Sequence, residues 1–443
     1  QRATKKSRSD ALLGDIFPLL DHLTYLIHNS EKKLAPHKVK TPLAMMGKSS
    51  WYTLEPLGTI LIISPWNYPF YQAIAPISTS FITGNATIYK PSEHTPLQGL
   101  IEGLLEKAGI AKNWFKVVYG DGEVAQKLID SQPSKIFFTG SVATGKKILA
   151  QAAPMLIPVE LELGGKDPMI VCGDVDLNRA AKGAIWGAAT NSGQSCTSVE
   201  KLIIEENIYE SFKKILIEEA NKITVGTDRD GSFDIGPMIH EAQVSIVAKH
   251  LEDAINKGAK QLTGFSWDKK SCAVPLIILE NITTDMLLYS EETFGPLLPL
   301  YSFENDSEAI FYANDSEFGL SASIWSQDLK RANFIASQIK TGNISINNVM
   351  LSEGNHHLPF GGTKKSGMGR FKSHFGLESF SNIKSYLQDK NSKKIEGHWY
   401  PYNPEKFKLM QKMTQGLYGK GIKSFFKFAV NGIRLENKAQ KTN

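Results

Sequence analysis

The chain has 443 residues, of which 42% are hydrophobic and 21% charged, and its formal net charge is +5. This is the composition of an ordinary globular protein with two or three domains, and the small charge gives no electrostatic reason to expect a nucleic-acid partner. The three cysteines, Cys172, Cys196 and Cys272, are odd in number and widely spaced, which argues against disulfides or a cysteine zinc cluster and favours a reducing compartment, the cytoplasm.

The first 160 residues predict one long helix followed by alternating strands and helices. Apolar residues recur at helical spacing from Asp10 to about Lys33, and the β-branched run at 59–63 predicts a buried parallel strand. The next predicted elements are helix 71–83, strand 86–89, helix 97–108, strand 115–119, helix 122–129 and strand 135–138. This alternation predicts a doubly wound sheet with ligands at the carboxyl ends of its strands.

A second alternating unit begins near Gly164 and runs to about Gly367. It starts with a strand at 169–172, a helix at about 177–190 and a strand at 202–204, followed by helices to about Lys257. No repeat or flexible linker separates the two units, so we expect them to share a close interface. The cleft between them is therefore the predicted place for chemistry.

Three side chains stand out for their local setting. Cys196 follows a glycine-containing turn, where a lone cysteine is equally a buried hydrophobe or a nucleophile. Glu160 and Glu162 alternate with leucines, so both should point to one face of a strand. Burying a carboxylate is costly, so each needs a cationic or hydrogen-bonding partner, or else has a raised pKa and serves as a general base.

Two strand ends hold further candidates. Asn67, between Trp66 and Tyr68, either forms a turn or donates its amide N–H to an oxyanion. The segment 138–147 predicts a strand-to-helix turn whose backbone N–H groups can bind phosphate. It lacks the Ser or Thr that a P-loop needs, because Lys147 takes that position, and it lacks the three glycines of the usual dinucleotide fingerprint.

Seven motifs occur in the order found in aldehyde dehydrogenases, and this resemblance covers roughly Glu55 to Phe380. They are Pro65-Trp-Asn-Tyr-Pro69, Lys90-Pro-Ser-Glu93, Phe138-Thr-Gly-Ser141, Leu161-Glu-Leu-Gly-Gly-Lys166, Gly193-Gln-Ser-Cys196, Glu291-Glu-Thr-Phe-Gly-Pro296 and Pro359-Phe-Gly-Gly362. The segments 358–362 and 365–369 resemble the shorter class, which includes fatty and aromatic aldehyde dehydrogenases. The resemblance implies an α/β fold with two Rossmann-type doubly wound units and a small oligomerisation element.

The same resemblance implies domains and catalytic roles. It predicts an NAD(P)-binding domain at 1–163 with an oligomerisation segment around 38–57, a catalytic domain at 164–367, and a C-terminal segment at 368–443. Cys196 is the implied nucleophile, Glu162 the base that activates the deacylating water, and Asn67 with the Cys196 N–H the oxyanion donors. An aldehyde becomes a hydride donor only after a thiolate adds to it, so the implied reaction passes through a thiohemiacetal and a thioester to the acid.

For the cofactor, the resemblance places Lys90 and Glu93 at the adenosine ribose, Ser141 at the pyrophosphate, and Glu292 with Phe294 at the nicotinamide ribose. The full implied set is Ile63, Trp66, Lys90, Glu93, Gly120, Gly140, Ser141, Val142, Ala143, Thr144, Gly145, Glu292 and Phe294. A carboxylate near the 2′-hydroxyl favours NAD, because the NADP phosphate would meet like charge, although relatives often accept both.

Alternative functions are open at this stage. A CoA-acylating dehydrogenase or reductase would use the same cysteine, but the retained Glu162 argues against it. A non-catalytic protein that kept the fold is disfavoured by the intact Cys196, Glu162 and Asn67. An apolar aldehyde substrate is favoured by nearby aromatic residues, namely Tyr68, Phe70, Trp186 and Phe360.

The remaining features concern metals and partners. His356 and His357 would alternate across a strand and have no evident third ligand, so we expect no metal. Residues 419–434 predict a basic amphipathic helix, which either lies on a membrane surface or is buried against a second copy in a homodimer. No apolar run reaches the roughly 18 residues of a membrane span. The basic start at Gln1 leaves open whether a segment precedes it.

Overall fold

The computed structural model describes residues 4–227, 231–263, 267–390 and 393–441. They form two compact units, one made of residues 1–34 and 55–382 and the other of residues 35–54 and 383–443. None of the helices in these ranges combines the length and the apolar character of a membrane span. The division into domains at residues 163 and 367 stays a prediction.

The strands and helices are numbered in chain order. The strands are β1 His37–Val39, β2 Lys48–Pro56, β3 Thr59–Ile63, β4 Ala86–Lys90, β5 Phe115–Val117, β6 Lys135–Thr139, β7 Val159–Glu162, β8 Asp167–Val171, β9 Val199–Glu205, β10 Lys260–Gln261, β11 Ile277–Glu280, β12 Leu297–Phe303, β13 Ser321–Trp325, β14 Asn343–Ile346, β15 Gly367–Met368 and β16 Ser381–Asp389. The α-helices are α1 Arg8–Asp10, α2 Phe17–Leu34, α3 Tyr71–Ile82, α4 Leu100–Lys107, α5 Gly122–Asp130, α6 Val142–Ala152, α7 Leu177–Ala189, α8 Tyr209–Ala220, α9 Glu241–Asn256, α10 Leu287–Ser290, α11 Asp306–Asn314, α12 Leu329–Gln338, α13 Leu351–Gly354, α14 Ser373–Ser379, α15 Pro404–Tyr418 and α16 Ile422–Lys441.

The first sheet of the larger unit has the strand order β15-β7-β6-β3-β4-β5. All its neighbours are parallel except β15, which runs antiparallel to β7. Its central strand β3 is fully buried at Ile60, Leu61 and Ile62, as its β-branched apolar run predicts. The chain continues from β3 to β4 on one side and returns to β6 on the other, which opens a crevice at the carboxyl ends of β3 and β6.

The second sheet has the order β10-β11-β12-β9-β8-β13-β14. Its neighbours are parallel except β10, which is antiparallel to β11. Helix α7 packs on this sheet through Ala180, Ala184 and Ala188, whose small side chains let helix and sheet approach closely. The prediction of two doubly wound sheets, one after the other in the chain, is therefore confirmed, and both sheets belong to the larger compact unit.

The predicted N-terminal helix contains a π-helical segment, Ala11–Ile16, between α1 and α2. The segment carries Asp15, whose buried Oδ1 accepts hydrogen bonds from the N–H groups of Phe70 and Tyr71 at 3.1 Å each. Lys6 Nζ contacts Asp15 at 2.8 Å and the Asn67 carbonyl at 2.7 Å. The π-helical segment thus places Asp15 where it holds, together with Lys6, the loop that follows β3.

Three local predictions were wrong. Helix α4 begins at Leu100 instead of residue 97, because Leu97 and Gly99 have φ of +47° and +75°. Strand β5 ends at Val117, two residues early. His356 and His357 lie in a turn after α13 and not in a strand, so the alternation expected of them does not apply.

The smaller unit holds the three-stranded sheet β1-β2-β16 and the helices α15 and α16. The helix predicted at 419–434 begins at Ile422 and continues to Lys441. Gly416 of α15 lies so close to α16 that a Cβ would come within 2.3 Å of the Phe428 N atom. This approach buries Phe428 and Leu435, whereas Ile422 and Ile433 are 73% and 60% exposed.

Candidate active site

A cavity of about 260 Å³ in the larger unit contains both Cys196 and Glu162 in its wall; we call it the Cys196 cavity. Glu162 is the last residue of β7, and Cys196 lies three residues before β9. Most of the remaining wall is apolar or aromatic, including Leu13, Phe17, Tyr68, Tyr71, Phe137, Trp186, Met350, Leu351, Phe360 and Phe371. The structure therefore brings the predicted nucleophile and base together in an apolar space.

Cys196 is presented by an unusual turn. Asn191, Ser192 and Gly193 adopt left-handed φ values of +52°, +59° and +71°, and of residues 191–200 only Cys196 is not fully buried. Two non-glycine residues in this region are strained, and such strain persists only where the surroundings enforce it. Gly165 is required here, because a Cβ would come within 2.3 Å of the Cys196 carbonyl oxygen. Gly165 thus allows the cysteine loop to pack against the segment that follows β7, and Gly164 allows the approach of the Glu292 carboxylate.

Burial and the nearby carboxylate of Glu353 raise the pKa of the Cys196 thiol well above its usual value. A buried thiolate is costly without a compensating cation. Within the described part of the chain, Lys372 is the only basic residue that lines the Cys196 cavity. The electrostatics around the thiol therefore depend on this lysine.

The two glutamates of β7 differ in their partners. Glu160 forms an ion pair with Lys135 at 2.7 Å and accepts a hydrogen bond from the Ser379 hydroxyl. Glu162 is 5% exposed, and among the described residues neither of its oxygens has a hydrogen-bond partner. Burial and the adjacent Glu160 raise the pKa of Glu162 well above its usual value. Glu160 is thus held in an ion pair through Oε2, although its Oε1 has no partner among the described residues, and Glu162 is a proton acceptor with no fixed partner for either oxygen.

Asn67 lies against the cysteine loop. Its side-chain Nδ2 donates to the Gln194 carbonyl at 3.0 Å, and the same carbonyl accepts from Asn191 Nδ2 at 3.1 Å. Asn191 Nδ2 also donates to the Asn67 carbonyl at 3.1 Å. An amide nitrogen carries two N–H groups, so one of those on Asn67 is left for another acceptor. Sequence reasoning missed Asn191, which joins this loop to Asn67.

Most predicted cofactor residues lie at one edge of the first sheet. Ile63 and Lys90 end β3 and β4, Trp66 follows β3, and Gly120 follows β5. Lys90 Nζ is 3.4 Å from Glu93, whose side chain is 50% exposed. These positions coincide with the crevice that the strand order creates.

The turn between β6 and α6 suits a phosphate. Gly140 precedes Ser141, the N-cap of α6, whose hydroxyl accepts from the Thr144 N–H at 3.3 Å. The first turn of α6 comprises Val142, Ala143, Thr144 and Gly145. Helix-terminal N–H groups lack intrahelical acceptors and favour anions. Gly145 allows the close approach of α6 to the sheet, since a Cβ would come within 2.8 Å of Leu163. These residues fit a pyrophosphate.

Glu292 and Phe294 lie beside the Gly-Gly pair and not with Lys90 and Glu93. Glu292 Oε1 accepts from the Gly165 N–H at 3.0 Å, and burial together with Glu200 raises the pKa of Glu292 to about 8. The Phe294 ring contacts Trp66, with centroids 5.3 Å apart. The two residues thus flank the space between the sheet edge and the Cys196 loop.

Sequence reasoning missed four charged residues of the cavity wall, Asp10, Asp21, Glu353 and Lys372, of which the last two lie close to Cys196. Lys372 is 6% exposed, and its Nζ donates to the Glu353 carbonyl and lies 4.7 Å from the centre of the Phe360 ring. The Glu353 carboxylate accepts from the Thr197 hydroxyl at 3.0 Å. Both residues come from segments after residue 350 that carry no local signal of a charge in an active site. Their role is visible only in the folded chain.

Comparisons with known proteins agree with this geometry. The model of the aldehyde dehydrogenase family matches residues 1–386. The chain is 41% identical over 419 residues to the 4,4'-diapolycopene aldehyde oxidase of a Methylomonas species, which covers 94% of this chain and 78% of that protein. It is 36% identical over 351 residues to the betaine aldehyde dehydrogenase of Brucella anthropi, covering 77% of this chain and 71% of that protein.

Solved structures give the same result. A mutant aldehyde dehydrogenase of Bacillus cereus superposes with a TM-score of 0.82 at 30% identity, covering 87% of this chain and 79% of that one. The betaine aldehyde dehydrogenase of Staphylococcus aureus in complex with NAD+ superposes with a TM-score of 0.77 at 29% identity, covering 86% and 78%. From its sequence motifs, its two sheets and these relatives, the chain belongs to the aldehyde dehydrogenase family of enzymes.

Proposed function

We propose that this enzyme oxidises an apolar aldehyde to the carboxylic acid with NAD, through a thioester on Cys196. The observation that carries the proposal is that Cys196 and Glu162 share one apolar cavity while the Glu162 carboxylate has no fixed partner among the described residues. A structural carboxylate would be paired, as Glu160 is with Lys135.

In the first half-reaction, the Cys196 thiolate adds to the aldehyde carbon and the carbonyl electron pair moves to oxygen. The Cys196 N–H and the Asn67 amide donate to this oxyanion. When the carbonyl re-forms, the carbon loses hydride. NAD, held by the residues at the carboxyl ends of β3, β4 and β6, would supply the acceptor for that hydride. The aldehyde carbon is thereby oxidised to a thioester.

In the second half-reaction, water attacks the thioester carbon and Glu162 takes its proton. The C–S bond then breaks, and the electron pair returns to sulfur as thiolate. Because burial and Glu160 raise the pKa of Glu162, the residue holds a proton more readily than an exposed carboxylate would. Its carboxylate form is therefore a stronger base than an exposed glutamate would be.

Lys372 supports both steps by its charge. It lines the cavity with Glu162, Glu353 and Cys196. The charge of Arg370 and, less strongly, that of Lys372 lower the pKa of Glu162 against the stronger effects of burial and Glu160. A cation in a dry cavity acts more strongly than one in water. We assign Lys372 to keeping Cys196 and Glu162 in their reactive charge states.

The substrate and cofactor preferences follow from the walls of the two sites. The aromatic lining of the Cys196 cavity favours an apolar aldehyde, and a relative named for a 4,4'-diapolycopene aldehyde supports this class. The half-exposed Glu93 beside Lys90 favours NAD over NADP through repulsion of the 2′-phosphate. Because water partly screens the repulsion between Glu93 and the 2′-phosphate, we expect NADP to be used less well than NAD but not to be excluded.

The experiment follows absorbance at 340 nm with aldehydes from acetaldehyde to hexadecanal, and with benzaldehyde, in the presence of NAD or NADP. We expect reduction of NAD by the wild type and by Cys272→Ala, and none by Cys196→Ala. Cys272 is a matched control because it is partly exposed and lines neither the Cys196 cavity nor the sheet edge. Reduction only after coenzyme A is added would overturn hydrolysis in favour of the acylating reaction.

For the smaller unit we propose a surface role in assembly. The exposed apolar residues of α16 and its lysines suit a second copy of the chain or a membrane surface. Gel filtration and co-sedimentation with anionic vesicles separate these partners, with Ile433→Ser as the variant. Loss of dimer by the variant supports the first partner, and loss of vesicle binding supports the second. Monomer with no vesicle binding in the wild type would contradict both.

A further inference from the structure

A second cavity, of about 740 Å³, adjoins the Cys196 cavity; we call it the outer basin. Four residues belong to the walls of both, namely Phe17, Asp21, Leu351 and Gly354. A shared wall of this extent means that a chain that lies in the Cys196 cavity can continue into the outer basin. A substrate that extends along this shared wall would have the end remote from its aldehyde in the outer basin.

The two cavities differ in chemistry. The wall of the Cys196 cavity is mainly apolar and aromatic. The outer basin is lined mainly by hydrogen-bonding side chains, which are Asp21, Thr24, Tyr25, His28, Asn29, Asn355, His356 and His357. Most of the accessible surface of this wall is still apolar, so an alkyl chain can lie along it while the hydrogen-bonding side chains bind a polar group on that chain.

His356 at the floor of the outer basin has unused hydrogen-bonding capacity. It is 3% exposed and its ring lies near the Pro18 carbonyl, but among the described residues neither ring nitrogen makes a hydrogen bond of standard geometry. Its ring packs edge-on against His22, with centroids 5.2 Å apart, so its orientation is fixed. Buried polar groups are nearly always paired, and an unpaired one that lines a cavity indicates a missing ligand group.

The groups that face His356 keep it neutral. Burial and the positive charge of Lys372 lower the pKa of His356 to about 3; His22 and His357 add to this effect, and the Pro18 carbonyl opposes it. A neutral imidazole offers one N–H donor and one acceptor nitrogen. The exposed Asp21 in the same wall repels an anion. A hydroxyl or a carbonyl oxygen therefore suits this position, whereas a carboxylate does not.

We propose that the outer basin binds a neutral oxygen group, a hydroxyl or a second carbonyl, at the far end of a long aldehyde whose reactive end lies at Cys196. The substrate class is then a long apolar aldehyde with a second oxygen function remote from the first. This inference rests on the proposed oxidation at Cys196, and it adds a site that selects between aldehydes of equal length.

The test compares kcat/KM for dodecanal, 12-hydroxydodecanal and 12-oxododecanoate with the full chain and NAD. We expect the hydroxyaldehyde to exceed dodecanal by about threefold to tenfold, the effect of one neutral hydrogen bond, and the carboxylate to fall below dodecanal. His356→Leu replaces the imidazole by an apolar side chain of similar bulk. In this variant the ratio of kcat/KM for the hydroxyaldehyde to kcat/KM for dodecanal should fall to about one.

Control variants separate this effect from folding. His374→Leu changes a histidine outside both cavities and should keep the wild-type ratio. If His356→Leu does not fold, His28→Leu on the exposed side of the outer basin should lower the ratio. A wild-type ratio of one or less, or a ratio unchanged in the basin variants, overturns the inference while NAD reduction with dodecanal leaves the proposed oxidation intact. No reduction with any aldehyde would instead contradict the proposed oxidation.

Discussion

The carboxyl ends of the first sheet provide two environments that differ in their access to water. At the end of β4, the side chain of Glu93 is half-exposed and lies near Lys90. At the end of β7, Glu162 is buried in the wall of the Cys196 cavity with no partner among the described residues. Burial raises the pKa of Glu162, whereas the open end suits recognition of a polar cofactor. Whether a strand end is buried or open to water thus decides whether its carboxylate can serve as a base or bind a polar cofactor.

The largest expected effect comes from removing the buried base. Glu162→Gln should lower steady-state turnover by about 10²- to 10⁴-fold, because no side chain then takes the proton of the deacylating water. Rapid mixing should still show up to one equivalent of NADH per site, since thioester formation does not need Glu162. Glu160→Gln provides a contrast, because Glu160 is paired with Lys135 and is not the proposed base. This variant should not lower steady-state turnover selectively while the NADH burst is kept. Loss of the burst itself in Glu162→Gln would contradict the assigned step.

The next effect concerns the oxyanion. Asn67→Ala should lower kcat by about 10²- to 10³-fold, the usual effect of removing one donor from an oxyanion hole. Asn333→Ala, on the exposed side of α12, is the matched control and should leave kcat unchanged. A tenfold or smaller loss in Asn67→Ala would show that its hydrogen bond to Gln194, at 3.0 Å, is the main role of the side chain.

A third effect is a shift in pH dependence. Burial and Glu353 raise the pKa of Cys196, and burial and Glu160 raise that of Glu162, so both reactive forms should increase as the pH rises. Arg370 and Lys372 oppose the shift of Glu162, and Lys372 also interacts with Cys196. Lys372→Met removes this cation and should move the midpoint of Cys196 alkylation by iodoacetamide to higher pH by about one unit.

Two further variants check the role of Lys372. Lys372→Arg keeps the charge and should restore the midpoint for alkylation. Lys330→Met, at an exposed position of α12, should not move it. Peptide mass spectrometry after alkylation distinguishes Cys196 from the other cysteines. An unchanged midpoint in Lys372→Met would show that its charge does not act on the thiol.

The smallest expected effect is at the open end of the sheet. Glu93→Gln should raise kcat/KM for NADP relative to NAD by about fivefold, since the variant removes a like charge from the site of the 2′-phosphate. The effect is modest because the Glu93 side chain is 50% exposed and water screens its charge. Glu123→Gln, in the exposed first turn of α5, should leave the ratio unchanged. An equal response of both cofactors to Glu93→Gln would place the adenosine ribose elsewhere.

The sequence by itself determined the elements that local patterns specify. The apolar runs of β3, β4 and β6, the turn at Ser141 and the motif around Cys196 all depend on residues close together in the chain. Their order also indicated the family, because spaced motifs can be recognised without knowing which side chains touch. The predicted edge of the sheet followed from the alternation of strands and helices.

Only the tertiary structure decided which groups are paired and which are free. Glu160 and Glu162 look alike in the sequence, and they differ because Lys135 and Ser379 reach one of them and not the other. Lys372 comes from a segment that folds back onto the Cys196 cavity, and no local pattern marks it. His356 stands out in the sequence beside His357, but only the folded chain shows that it is buried in the wall of the outer basin. Burial, electrostatic coupling and unused hydrogen bonds arise from contacts between distant parts of the chain, so they appear only once the chain has folded.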